Sequence, residues 1–300
     1  MHLDWEELIL EYILEITVRG FSDATVESYK YKLGFNSIFF KDRHISPEQV
    51  KKIHVKELIL WWQKKGLENT TINTGINMFK KLFDYCVEEG YTVINPVQVK
   101  NLPEKKKIIY PLNENEIKQL LIVAKSHPYE LLRYRNTVIF MLMLDCGLRI
   151  SEVSNLNEDD ILQKQIRILN SKGNKERAVV LSPFMQKELI KYLRVKKRLG
   201  LCNHALIVTY ENKRMSKQNV WQIMRIISKK VNIRTEVRFS PHTLRHTYAS
   251  MQLKNGLDIF TLSLNMGHSN VGITQDYIKS LNSEDFINKS LKTSTLMNLK

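Results

Sequence analysis

The chain has little cysteine, and what it has is badly placed for chemistry. Cys86, Cys146 and Cys202 are far apart and odd in number, with no CxxC pair. Neither a disulfide framework nor a cysteine zinc site is supported. No apolar run reaches the ~18 residues of a membrane span. The opening stretch MHLDWEELILEYILEI carries acids where a signal peptide would carry bases. Internal repeats and low-complexity tracts are also missing. These exclusions predict a cytoplasmic globular protein with no membrane partner.

What is present in excess is positive charge. The 300 residues carry 46 Lys+Arg against 31 Asp+Glu, a formal net charge of +15. Hydrophobic residues at 43% and charged residues at 26% are ordinary for a soluble protein with a real core. The charge points to a polyanionic partner, with nucleic acid ahead of a membrane surface. It is unevenly spread: residues 1–100 hold 13 bases against 14 acids, and residues 101–300 hold 33 against 17. Five acids precede the first base, Arg19, so a basic face within residues 16–100 remains possible.

Length suggests about two domains, at ~150 residues each. In residues 1–100, WEELILEYILEI, FSDATVESYKYKLGFNSIFF, SPEQVKKIHVKELILWWQKKG and NTTINTGINMFKKLFDYCVEEG have cap signals and apolar groups at helical spacing. They predict a small four- or five-helix domain. The stretch NPVQVKNLPEKKKIIYPLN contains three prolines and the run Lys105–Lys107, which makes 101–111 a basic linker. It is either a tether lying on a nucleic-acid backbone or simply a solvated connection. Residues 112–300 form the second domain. There QIRILNSKGNKERAVVLS reads as a hairpin around a Lys-Gly-Asn-Lys turn, ALIVTY as a possible extra strand, and the rest as helices. The fold class is mainly α with a small β-sheet.

Four places in the second domain concentrate candidate chemistry. In SPHTLRHTYAS, His242, Arg245 and His246 share one helical face near a helix start. Two histidines four apart can ligate zinc, but a zincin needs Glu where Thr243 stands, and Arg245 would place a fixed cation beside the metal. An anion over that helix start explains the cations better; a solvated surface remains the plain alternative. In CGLRISEVSNL, Arg149 and Glu152 form a charged pair at the margin of an otherwise buried helix, by default an ordinary ion pair. Lys172 occupies the hairpin turn, where a solvated lysine is the ordinary case. In NMGHSNVGITQDYIK, His268 follows Gly267 and Tyr277 comes nine residues later.

Taken together, GLRISEV, SKGNKER, HTLRH, GHSN and the tyrosine nine positions past that histidine resemble the motifs of the tyrosine recombinases, the phage-integrase family, in the family's order. FSDATVESYKYKL and NTTINTGINMFKKLFDYCVEEGYTVINPV are similar to the helical core-binding domain of that family. The resemblance implies a SAM-like helical core-binding domain followed by an α+β catalytic domain. The layout is that of simple Xer-type or transposon-type enzymes, with no extra arm-binding domain expected before residue 1.

It further implies site-specific cleavage and rejoining of double-stranded DNA through a 3′-phosphotyrosyl intermediate, without metal or other cofactor. Tyr277 would be the nucleophile. Arg149 and Arg245 would neutralise the phosphate, His242 would accept the proton, His268 would hydrogen-bond a phosphate oxygen, and Lys172 would protonate the departing 5′-oxygen. Glu152 and His246 would be supporting residues. The tail, 284–300, would pack into a neighbouring subunit of a homotetramer, or of a heterotetramer with a related recombinase, on two DNA duplexes. A type IB topoisomerase or hairpin resolvase would use similar chemistry, and a DNA-binding regulator without catalysis would need only the basic surface.

Overall fold

Aromatic and aliphatic groups at helical spacing build the first hundred residues into four helices in the computed structural model: α1 (Trp5–Val18), α2 (Asp23–Lys41), α3 (Lys52–Lys64) and α4 (Asn69–Glu88). The structure describes residues 4–104, 109–169, 176–267, 270, 272 and 274. The core of this unit is aromatic. Trp5 stacks on Phe40 with ring centroids 4.8 Å apart, and its Nε1 donates to the Ile45 carbonyl at 2.8 Å. A second indole, Trp62, donates to Asn36 Oδ1 at 2.8 Å, so the bulk of both rings is buried with the polar atom satisfied.

One element differs from expectation. The stretch starting at Ser46 is not a single helix but a 3-10 turn, Pro47–Gln49, followed by α3. Val50 between them is extended and buried in the core of this unit. After α4 the chain stays on this unit. Asn73 donates to the Leu102 carbonyl and to Glu104 Oε1, and accepts from the Leu102 amide at 2.7 Å.

The chain divides into two compact units, Met1–Lys106 and Lys107–Lys300. The second contains α5 (Glu114–Lys125), α6 (Glu130–Leu144), α7 (Ile150–Asn155), strands β1 (Gln165–Ile168) and β2 (Arg177–Val180), α8 (Pro183–Arg198), α9 (Lys217–Ser228), α10 (Pro241–Lys254) and α11 (Ile259–Met266). Helix α6 is apolar all round from Val138 to Met143 and is wrapped by α5, α7, α8, α9 and α10, as a helix without a polar face must be.

The predicted hairpin is present. Strands β1 and β2 pair antiparallel from Gln165↔Val180 to Ile168↔Arg177, with Ile166, Ile168 and Val179 turned into the core. Its turn, residues 170–175, lies outside the described residues. ALIVTY is not a strand of this sheet. Ala205 and Val208 make only isolated bridges, to Asn157 and Arg214, and the segment is buried through Ala205–Val208. Among the described residues, no helix is long and apolar enough to cross a membrane.

Candidate active site

The site is built where three element ends meet: the start of α7, the start of β2 and the end of α11. Arg149 is the N-cap of α7 and Glu152 its third residue. A helix start leaves amide donors unsatisfied, and an acidic third residue reaches back to them. Here the Glu152 carboxylate accepts from the Arg149 amide and from Arg149 Nη1, both at 2.8 Å. The expected pair is therefore present, but its acid is enclosed: the Glu152 side chain is 6% exposed against 30% for Arg149.

Its burial is tolerated because a second arginine meets it from across the fold. Arg177, the first residue of β2, donates Nη1 to Glu152 Oε1 at 2.9 Å and Nη2 to Oε2 at 2.8 Å. Burial alone pushes the Glu152 carboxyl up. Hydrogen bonds and charge from Arg177, with the amide and guanidinium of Arg149, more than reverse it and hold its pKa at about 2. Arg245, on α10, approaches the same carboxylate at 4.0 Å.

Three consecutive carbonyls at the end of α11 complete the arrangement. Asn265 accepts from Arg177 Nε at 2.9 Å, Met266 from Arg245 Nη2, and Gly267 from Arg149 Nη2 at 3.2 Å. The last carbonyls of a helix lack intrahelical partners and carry partial negative charge, so cations settle there. Gly267 turns the chain at φ +61°, in the left-handed region that favours glycine, and a Cβ there would press on Arg177. Arg245 Nη1 also donates to the Gly147 carbonyl at 2.5 Å. The four side chains thus hold three fixed positive charges against one negative.

Helix α10 enters this cluster through a well-specified start. Ser240 caps it by accepting from the Thr243 amide at 3.1 Å, and Pro241 occupies the first helical position. Thr247 ties it down by accepting from the Leu112 amide at 2.9 Å. His242 is exposed on the first turn, where lost hydration and the charges of Arg245 and Arg149 draw its pKa down. His246 is buried one turn later, and burial first, then His242, hold it at about 4. Among the described residues no group of His, Cys, Asp and Glu gathers as a metal site.

Of the residues singled out in the sequence, the structure brings Arg149, Glu152 and Arg245 together, with His242 close enough to feel both guanidiniums. Lys172, His268 and Tyr277 lie outside the described residues. Sequence reading missed Arg177. The signal was its place in SKGNKER, the string already marked for its lysine, but nothing in that string distinguishes a buried arginine from a solvated one.

The model of the phage integrase family matches residues 111–284, and that of the phage integrase SAM-like domain matches residues 7–108. The chain belongs to the phage integrase family. Members similar to it include the tyrosine recombinase XerC of Thermodesulfovibrio yellowstonii, 29% identical over 266 residues that span 86% of each chain. Among solved structures, the XerH site-specific recombinase in a post-cleavage complex with a palindromic difH substrate superposes with a TM-score of 0.75 at 19% identity, over 92% of this chain and 80% of that one. A lambda integrase tetramer bound to a Holliday junction gives a TM-score of 0.75 at 16% identity, over 92% and 77%. At these identities the likeness to the two structures is one of fold.

Proposed function

We propose that this phage integrase is a site-specific DNA recombinase. It cleaves one strand of a specific duplex site, holds it as a 3′-phosphotyrosyl ester, and passes it to a new partner strand. The observation that carries the reading is the excess of fixed positive charge at the end of α11, immediately before His268 and ten residues before Tyr277. A phosphodiester under attack gathers negative charge on its non-bridging oxygens, and preorganised guanidiniums stabilise it without losing their protons.

In the proposed step the Tyr277 hydroxyl oxygen attacks phosphorus and its proton passes to His242. The depressed pKa of His242 supports this role, because a neutral imidazole can accept a proton. Arg149, Arg245 and His268 hold the phosphate oxygens. The bond to the 5′-oxygen breaks, and Lys172 gives that oxygen its proton. The phosphate ester is conserved, so a second 5′-hydroxyl reverses the step on another duplex without any cofactor. Glu152 orients Arg149, and His246 supports α10. The net charge of +15 suits a DNA backbone, and the lysine-rich connection at 101–111 is read as a tether lying along it. By analogy with the lambda integrase tetramer, the working assembly is a tetramer on two duplexes, with tail 284–300 exchanged between subunits.

The test is a nicked suicide duplex incubated with the protein and resolved on a denaturing gel. Wild-type protein is expected to give a covalent adduct and Tyr277→Phe none, with DNA affinity nearly unchanged. An adduct that persists in Tyr277→Phe removes the proposal. Strand exchange between two duplexes then separates recombination from topoisomerase action.

A further inference from the structure

The role of Glu152 is incomplete without Arg177, and the geometry points to a positioning function for that arginine. We propose that Arg177 neutralises the Glu152 carboxylate and fixes its plane, so that Arg149 and Arg245 keep their charge for the phosphate. This rests on the recombinase reading above.

Four observations support it. Arg177 engages both oxygens of Glu152 end-on, one terminal nitrogen to each, a bidentate fork that adds geometric specificity to the strength of the pair. Its side chain is 8% exposed, which removes it from direct contact with a DNA backbone. Its third donor, Nε, is spent on the Asn265 carbonyl, in the same turn that supplies the acceptors of Arg149 and Arg245. Finally, Gly267 leaves the space that Arg177 occupies, since a Cβ there would come within 3.0 Å of Arg177 Cδ and Nη1.

Charge counting shows why this matters. With Arg177, the carboxylate is balanced and the two arginines assigned to phosphate retain both their charges. Without it, Glu152 is left to Arg149 and Arg245, and the two share one uncompensated charge. Arg177 also opens β2, so one residue links that strand, the carboxylate and the end of α11.

The experiment is single-turnover cleavage of the suicide duplex by the full chain, with melting followed by circular dichroism. Arg177→Met is expected to cleave about 100-fold more slowly, the scale of a small misplacement of reacting groups, with DNA affinity unchanged. Adding Glu152→Gln, which removes the carboxylate's charge but keeps its shape, is expected to restore at least about tenfold of that loss. A residue that merely braces the fold would respond in the opposite sense, with the second change compounding the first. Cleavage by Arg177→Met within about threefold of wild type, or a double variant slower than Arg177→Met, overturns the proposal.

Should Arg177→Met not fold, the comparison moves to the Glu152→Gln background. There the added Arg177→Met change is expected to cost less than about threefold, and a cost above about tenfold overturns the proposal. No adduct with wild-type protein sinks the recombinase reading and this one together. An adduct indifferent to Arg177 sinks only this one.

Discussion

Gly147 lies with its Cα against the ring of Tyr248, at φ +64°. A Cβ at that position would sit 3.0 Å from Tyr248 Cγ and nearer still to Cδ1 and Cε1. The same glycine presents its carbonyl to Arg245, so a packing constraint and a site constraint fall on one residue. Gly147→Ala is expected to cost about 1–2 kcal/mol for the left-handed backbone and about 1–3 kcal/mol for the overlap. Chemical denaturation should show the loss, and cleavage should fall with it as the Arg245 acceptor moves. A fully stable Gly147→Ala would mean that Tyr248 yields freely.

Arg245→Lys separates charge from shape. Arg245 spans the Gly147 and Met266 carbonyls with its two terminal nitrogens, which one ammonium cannot do in the same geometry. Loss of a fixed donor aimed at developing charge typically costs about 2.7–4 kcal/mol of barrier. Single-turnover cleavage should therefore slow by about 100- to 1,000-fold in Arg245→Lys. A rate near wild type would show that charge alone suffices.

Stability should weaken below neutral pH through His246. Its pKa is about 4 in the folded chain against 6.5 for a free imidazole, so between those values the unfolded chain binds more protons. Stability is complete above pH 6.5 and is lost as pH falls towards 4, by about 3 kcal/mol over the window. Glu152 works at lower pH. Its depressed pKa contributes stability above 4.5 that disappears as pH falls from there towards 2. Denaturant midpoints measured from pH 7 to 4 should thus fall in wild type and flatten in His246→Gln. An equal slope in both would rule out His246 as the cause.

Truncation after residue 284 tests the tail. Beyond that point the sequence carries the apolar groups Phe286, Ile287, Leu291, Leu296, Met297 and Leu299. Under subunit exchange, the shortened chain should keep its monomer melting temperature but fail to assemble on two duplexes in sedimentation. A destabilised monomer that still assembles would show the tail serving its own domain.

Much of the fold was legible because it is local. Apolar spacing and caps such as Ser240 and Asp258 act within one turn of a helix, so they can be read from neighbouring letters. The hairpin was legible for the same reason, while ALIVTY was not. Its buried residues resemble a strand in composition, yet what they pair with is set by distant segments around Asn157 and Arg214.

The candidate site divides along the same line. By itself the sequence determined the residue types, their order, the helix starts that carry Arg149 and Arg245, and the positive balance that calls for a polyanion. Only the tertiary structure decided that Glu152 is buried, that Arg177 crosses 25 positions to neutralise it, and that the last carbonyls of α11 receive three guanidiniums. Spacing along a chain reports which groups share a face of one element. Whether a charge is solvated or enclosed depends on which element ends meet, and that is set by how the cores of separate helices pack.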